Sequence, residues 1–425
     1  MYYDRKHQTA ANTAYPYNPY FYNLIRNGKG RESYTLKSVR SFLEAWKNDG
    51  YSIIDPMYGS GVIADYAEKF DLDVIGNDKD PAMYYFNLLR NADENSPQYR
   101  LVEMLEKHRS SFPKPSANQE KPIGWLGPIG TEFLFEVFMF MYSMCDNLET
   151  FEDLQDTIMS ILIPFAAHFT GFFADPRIGT VQKGKPADFK DSVDEFYTYL
   201  AQIKSNMLKP KTNSRIILLD DARSFKSQQH GIEINRLLVG LPIYSKNNNL
   251  TKAENAVIAC LKDKELITQS ACGPLLGRPR YGRNHEVGIH EKAIKAHEKI
   301  VDPIVATLRY GDADYTDLVS DPWPRLNPNS VCRTVFGIKS YFEILTDILV
   351  NLLDKNAADD FQAGMVMRDF SYREKLVRVS TFVEEVARAY GYDVTVVSSR
   401  TVCTMSSNRE LTLPQEEKVM SFIRK

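Results

Sequence analysis

The chain has 425 residues, 43% of them hydrophobic and 25% charged, which is two or three domains' worth of length with ample material for a core. Its 52 Lys and Arg against 55 Asp and Glu give a formal net charge of -3, which excludes a generally basic, histone-like mode of nucleic-acid binding but not a local basic face. No apolar run approaches the roughly 18 to 20 residues of a membrane span; the longest patches, Phe133-Leu-Phe135 and Val137-Phe-Met-Phe-Met141, are separated by Glu136. Met1-Tyr-Tyr-Asp-Arg-Lys-His7 is polar and lacks the apolar core of a secretory leader. Cysteines 145, 260, 272, 332 and 403 are scattered with no CxxC, so the expectation is a cytoplasmic protein with reduced thiols, no disulfide frame and no metal site.

Taken in chain order, the segment Tyr15-Pro-Tyr-Asn-Pro-Tyr-Phe-Tyr22 is dense in aromatic rings, and its two prolines oppose a helix. A helix is predicted from about Leu36 to Lys47, ended by Asn48-Asp-Gly50. Tyr51-Ser-Ile-Ile-Asp55 is a short apolar run leading into Pro56-Met-Tyr-Gly-Ser-Gly61; residues 62–69 then have helical character, and Leu72-Asp-Val-Ile-Gly-Asn-Asp78 is a second apolar run ending on acid. Strand, glycine turn, helix, strand and acidic turn make one parallel βαβ unit. Residues 92–128 read as an irregular or helical connection, 130–173 as buried helix, 175–186 as a loop, and 192–208 as an amphipathic helix. Strands resume at 215–221 and 237–244, followed by a helix at 341–353, a strand at 361–367, a helix at 378–390, and strands at 393–399 and 418–423. The expected organisation is one α/β domain whose halves, 1–128 (cofactor) and 209–425 (acceptor), flank a helical insertion at 129–208.

Glycines at a strand-to-helix turn let a backbone approach a ligand closely, and the helix N-terminus offers free N–H donors. Asp55-Pro-Met-Tyr-Gly-Ser-Gly61 supplies such a turn, and Asp78 ends the next strand, where a carboxylate can accept both hydroxyls of a ribose. The dinucleotide pattern G-x-G-x-x-G lacks its third glycine here, and an aspartate precedes the turn. That acid suits a cofactor carrying an ammonium group better than one carrying phosphates, which favours S-adenosylmethionine over NAD.

Asp55-Pro-Met-Tyr-Gly-Ser-Gly61 and Ile75-Gly-Asn-Asp-Lys-Asp-Pro81 resemble the D-P-F-x-G-S-G and I-G-x-D-x-x-P signatures of DNA amino-methyltransferases, enzymes that methylate the exocyclic amino group of adenine or cytosine. Tyr15-Pro-Tyr-Asn-Pro-Tyr20 with Asn23-Leu-Ile25 is similar to the family's H-P-Y-P-x-x-x-x-P segment, Leu218-Leu-Asp-Asp-Ala-Arg223 to its G-D-A-R turn, and Asn408-Arg409, Glu417 and Phe422-Ile-Arg-Lys425 to its closing strand. The resemblance implies a Rossmann-like methyltransferase fold with a mostly parallel seven-stranded sheet, and S-adenosylmethionine held by Tyr17, Asp55, Pro56, Gly59, Gly61, Asp78 and Asp221.

The family's (D/N/S)-P-P-(Y/F/W) motif stacks an aromatic ring on an extruded base and accepts hydrogen bonds from its amino group. The matching stretch is Gly240-Leu-Pro-Ile-Tyr-Ser245, in which Pro242 and Tyr244 agree, but Leu241 replaces the polar acceptor and Ile243 the second proline. A base bound beside leucine leaves part of its amino group unpaired at a cost of about 1 to 3 kcal/mol, or roughly one to two decades in rate. Three readings stay open: an active enzyme with an acceptor supplied by backbone or Ser245, an enzyme for another acceptor such as RNA, or a silent subunit that binds cofactor, nucleic acid or a catalytic partner. Asp321-Pro-Trp-Pro-Arg325 is read as a loop. The basic stretch 277–299 is the candidate nucleic-acid contact: Arg278, Arg280 and Arg283 suit phosphates, Tyr281 suits base stacking, and His290, Lys292, Lys295, His297 and Lys299 follow.

Overall fold

The computed structural model describes residues 36–59, 61–113, 128–145, 151–166, 172–175, 180–183, 189–208, 213–241, 252–269, 291–304, 338, 341–372, 375–402 and 415–425. Helix α1 (Leu36–Trp46) precedes strand β1 (Ile53–Asp55), α2 (Val62–Glu68) and β2 (Val74–Asp78). Five helices follow: α3 (Pro81–Asn91), α4 (Pro97–Lys107), α5 (Pro128–Met144), α6 (Phe151–Ala166) and α7 (Phe189–Met207), with the hairpin β3 (Phe172–Asp175) and β4 (Thr180–Lys183) between the last two. The chain continues through β5 (Arg215–Leu219), β6 (Ile234–Gly240), α8 (Lys252–Asp263) and a helical run across 291–304. Then come α9 (341–350), a wide helical turn at Asn351–Lys355, β7 (Ala357–Arg368), the small hairpin β8 (Phe370–Tyr372) and β9 (Lys375–Val377), α10 (Val379–Ala389), β10 (Tyr392–Val402) and β11 (Gln415–Arg424).

One seven-stranded sheet organises the molecule, in the order β10-β11-β7-β6-β1-β2-β5. Strands β5, β2, β1, β6 and β7 pair in parallel, while β11 is antiparallel to both of its neighbours, so β10 points the same way as the five. The order reverses direction at β1, between β2 on one side and β6 on the other. In open α/β sheets, ligands bind outside the carboxyl ends of the strands at such a switch point. Asp55, Asp78 and Gly240 all lie on that edge.

Parallel strands are buried on both faces and so read as continuous apolar runs. In β6, Ile234 to Val239 are all buried. Alternation still decides which face each side chain joins. Leu237, Val239 and Leu241 enter one core with Met365, Met367, Phe342, Leu345 and Phe382, under α9 and α10. Leu238 and Val366 point the other way, to Val39, Phe42, Leu43 and Trp46 of α1 and Ile63 and Ala64 of α2. A third apolar cluster joins α3 to α8 around Tyr85, Phe133, Ile158, Phe165 and Phe196. At the amino edge of the sheet, the buried Arg236 donates from Nε to Asp49 (2.8 Å) and from Nη1 to the carbonyls of Asn235 and Asp360 (2.9 Å each), beneath the ring of Tyr51.

Several sequence expectations change in detail. The connection at 92–128 contains a regular helix, α4, that starts with Pro97 in its first turn. The loop expected at 175–186 includes β4, paired with β3 from Phe172↔Lys183 to Asp175↔Thr180. The 129–208 stretch therefore holds a hairpin as well as helices, and its helices share an apolar cluster with α3, α4 and α8. Among the described residues no helix is long and apolar enough to cross a membrane, and no group of His, Cys, Asp or Glu is arranged to hold a metal ion.

Candidate cofactor site at the carboxyl edge

The turn after β1 is built on two residues in the left-handed region, Gly59 (φ 51°) and Gly61 (φ 72°), where a side chain is strained. Gly61 opens α2, and its N–H donates to the Tyr58 carbonyl at 2.8 Å. Tyr58 N–H in turn donates to the Asn77 carbonyl at 2.9 Å, docking the turn on β2. The Tyr58 ring lies against Gly76 of β2: a Cβ at Gly76 would come within 2.1 Å of it. Gly76 therefore admits the ring that holds the turn down.

Two carboxylates meet at this turn. Asp55, at the end of β1, is 1% exposed and accepts from Met57 N–H at 3.2 Å. Burial pushes its carboxyl up to about 8, against the Met57 N–H and reinforced by the charge of Asp78. Asp78, at the end of β2, accepts from Gly59 N–H (2.8 Å) on one oxygen and from Asp80 N–H (2.9 Å) on the other. Burial, and after it the neighbouring Asp80, pushes this group up to about 7 in spite of those donors. The glycine turn and the acidic strand end thus form one hydrogen-bonded unit.

Surrounding amides fix that unit in place. Asn77 donates to the carbonyls of Pro56 (3.3 Å) and Asp220 (3.0 Å), tying the ends of β1, β2 and β5 together. Asn87, on α3, donates to the Gly59 carbonyl at 2.7 Å and to Met83 at 2.9 Å. The Oδ1 atoms of both asparagines are buried with no hydrogen-bond partner among the described residues. Asp80 caps α3, accepting from Ala82 N–H at 3.0 Å, with Pro81 at the first helical position. It also accepts from Asn255 of α8 at 3.0 Å. None of these four polar side chains other than Asp80 announces itself in sequence; the Asp80-Pro81 pair is a legible helix start.

On the next strand, Asp221 follows β5 and receives Arg223 at both oxygens, with Nε at 3.0 Å from each and Nη2 at 2.5 Å. Burial alone would raise its carboxyl, but hydrogen bonds from the Arg223 side chain and backbone outweigh burial and hold it below the usual carboxylate range. Buried Asn351 supports this turn from below, donating to the carbonyls of Ala222 (2.9 Å) and Phe225 (2.8 Å). Asp55, Pro56, Gly59, Gly61, Asp78 and Asp221 accordingly sit on adjacent strand ends of one edge.

The acceptor side is a different matter. Leu241 is 5% exposed, donates its N–H to the Val366 carbonyl at 2.8 Å, and belongs to the apolar core shared with Ile54, Val239 and Ala296. Its side chain is packing material rather than the wall of a polar pocket. Pro242 and Tyr244 lie outside the described residues, as do Tyr17, Arg278, Arg280, Tyr281 and Arg283. The described end of the basic stretch divides between core and surface, with Lys295 exposed. His297 is buried, 3.0 Å from Thr346 Oγ1 and edge-on to Phe382; Lys292 sits over the Tyr390 ring and Lys299 pairs with Glu385.

Comparison with protein-family models, with curated proteins and with solved structures yields no match to this chain.

Proposed function

We propose that the chain is an S-adenosylmethionine-dependent methyltransferase of Rossmann-like fold, acting on a base amino group in DNA. The observation that carries this reading is the pairing of the left-handed glycine turn after β1 with the acidic end of β2, joined by the Gly59 N–H to Asp78 bond, at the switch point of the sheet. The order of the parallel strands, reading outward from β1 as β2-β5 and β6-β7, supports a doubly wound nucleotide-binding architecture.

The donor set fits this cofactor. A buried carboxylate whose charged form is disfavoured gains most from a cation; Asp55 is such a group, and on this reading it would hold the cofactor's ammonium. Asp78 offers a carboxylate for ribose hydroxyls, and Asp221 an acceptor for the adenine amino group. When bound, the cofactor supplies an electrophilic methyl on a sulfonium centre. The protein's part is to hold donor and acceptor in line, which needs no strong base. By the motif resemblance, Tyr244 would stack on the extruded base and Pro242 would present its carbonyl to the amino group.

A second reading, a catalytically silent subunit that binds cofactor, nucleic acid or a catalytic partner, is favoured by one observation: Leu241, where a polar acceptor would stand, is committed to the core. Titration of the purified protein with S-adenosylmethionine, then a tritiated-methyl assay on DNA and RNA, separates the two. Cofactor binding with label transferred to DNA supports the enzyme, and binding without transfer supports the silent subunit. Transfer to RNA alone would move the substrate class. An absence of cofactor binding would sink the methyltransferase reading and leave only a silent subunit that binds nucleic acid or a partner.

A further inference from the structure

Across the acceptor side of the same edge runs a ladder of charges. Glu417 of β11 is the register partner of Arg368 on β7 and of Arg400 on β10. It is a buried carboxylate with one arginine on each oxygen: Oε2 accepts from Arg368 Nη2 at 2.7 Å and Nε at 3.3 Å, and Oε1 accepts from Arg400 Nε and Nη2 at 2.5 Å each. One negative charge is therefore shared by two fixed positive ones. The ladder reads cation, anion, cation, and stops on β10, the outermost strand of the sheet.

Stapling three strands does not require the outer cation to be exposed, yet the Arg400 side chain is 42% exposed. A guanidinium has five donors in a rigid fork, and only two of Arg400's are turned to Glu417. On the same strand and face, two residues before Arg400, Ser398 is exposed and adds a hydroxyl donor. Strands in a sheet are spaced about 4.8 Å apart, so β10 lies roughly 14 Å from β6, the strand that leads to the acceptor motif. At about 3.4 Å per nucleotide along a duplex strand, that is roughly four steps from the base being modified.

We propose that Arg400, oriented by Glu417 and backed by Arg368, is a phosphate-binding site for the nucleic-acid backbone flanking the target base. A backbone phosphate would be the next member of the ladder, an anion beyond the outer cation, with a planar fork to receive two of its oxygens. The inference rests on the nucleic-acid acceptor reading above and adds to it a contact that positions substrate without reading sequence.

The test measures binding of a fluorescein-labelled DNA duplex by anisotropy from low to high NaCl, for the wild type and for Arg400→Ala, Arg400→Lys and Glu417→Gln. Arg400→Ala is expected to weaken binding about 3- to 10-fold at physiological salt and to lower the slope of log affinity against log salt by about 0.9. The loss should be equal for unrelated sequences, with S-adenosylhomocysteine affinity unchanged. Arg400→Lys keeps the slope while losing affinity, because charge survives and the fork does not. Glu417→Gln loses stability to urea yet keeps the slope, because both cations remain. An unchanged slope in Arg400→Ala, or a fall in cofactor affinity matching its loss of duplex affinity, would reduce the ladder to a sheet staple and overturn the proposal. A wild-type protein that binds no duplex would instead overturn the DNA reading itself.

Discussion

One edge of one sheet carries two different electrostatic characters, one acidic and one of alternating sign. Over β1, β2 and β5 the strand ends are acidic: Asp55, Asp78, Asp80, Asp220 and Asp221 lie within a few strands of each other, and the first two are held above the ordinary carboxylate range. Over β7, β11 and β10 the charges alternate in sign: Arg368 and Arg400 sit on Glu417, with Asp369 and the Glu416–Lys418 pair beside them. The acidic half is also the tighter one, with backbone N–H groups closing on carboxylates and a tyrosine ring laid on bare backbone. A net charge of -3 averages the two and hides both.

The boundary between the halves runs through Leu241, and the largest expected effect lies there. Leu241→Asp would set an unpaired carboxylate in the apolar core and should cost about 3 kcal/mol or more, read as a lower urea midpoint, with no gain in methyl transfer. Gained transfer at undiminished stability would mean that the side chain faces an acceptor pocket, and the boundary would have to move. Asp78→Ala comes next. It removes the proposed ribose acceptor and strips the Gly59 and Asp80 N–H groups of their partner, so calorimetry with S-adenosylhomocysteine should give roughly 100-fold weaker binding, about 3 kcal/mol. Duplex affinity should hardly change, and equal losses for both ligands would break the division of the edge.

The pH dependence is the next sharpest. Asp55 and Asp78 titrate near 8 and 7 in the folded chain against 3.8 for a free aspartate, so between those limits the folded state holds protons that the unfolded state has released. The contribution of these groups to stability is therefore greatest near pH 4 and falls as pH rises to about 8. Asp55→Asn should flatten this decline in a series of urea titrations, while wild-type cofactor affinity should rise across pH 7 to 8 as the carboxylates ionise. A stability that climbs over that interval in the wild type and is unaltered in Asp55→Asn would contradict the buried acid pair. The smallest effect belongs to Asn87→Ala, which frees the Gly59 carbonyl at a cost of about 1 kcal/mol; cofactor affinity should drop about 5-fold with the arginine half untouched.

Local signals carried most of the sheet. Ile53-Ile54, Val74-Ile75, Ile216-Ile217 and Leu237-Leu238-Val239 are apolar runs that could be read directly, and the glycine turn after Asp55 declared itself by composition. Helix α3 is legible from its start, since Asp80 caps it and Pro81 opens its first turn. The hairpin at Phe172–Lys183 gave no such sign: its strands are four residues each, and a neighbouring apolar stretch reads equally as helix. Side chains that act across the fold were beyond a linear reading. Asn77 reaches Asp220, Asn351 reaches Ala222, and Arg368 meets Glu417 only once strand register is known. Leu241 was legible as a departure from the acceptor motif, yet its role in the core depended on the alternation that sets it beside Met365 and Met367.

The antiparallel strand β11 has a consequence for how the molecule is made. It is synthesised after β10 yet lies between β10 and β7, so neither neighbour can find its partner until residues 415–424 exist. During translation the five parallel strands can assemble first, as domains fold from the N-terminal side, with β7 left as an open edge. The arginines of β7 and β10 are brought to a common glutamate only when β11 slides between them. A ribosome that stalls before Gln415 would therefore release a chain able to build its acidic half and unable to join the two arginines, with an exposed strand edge that invites aggregation.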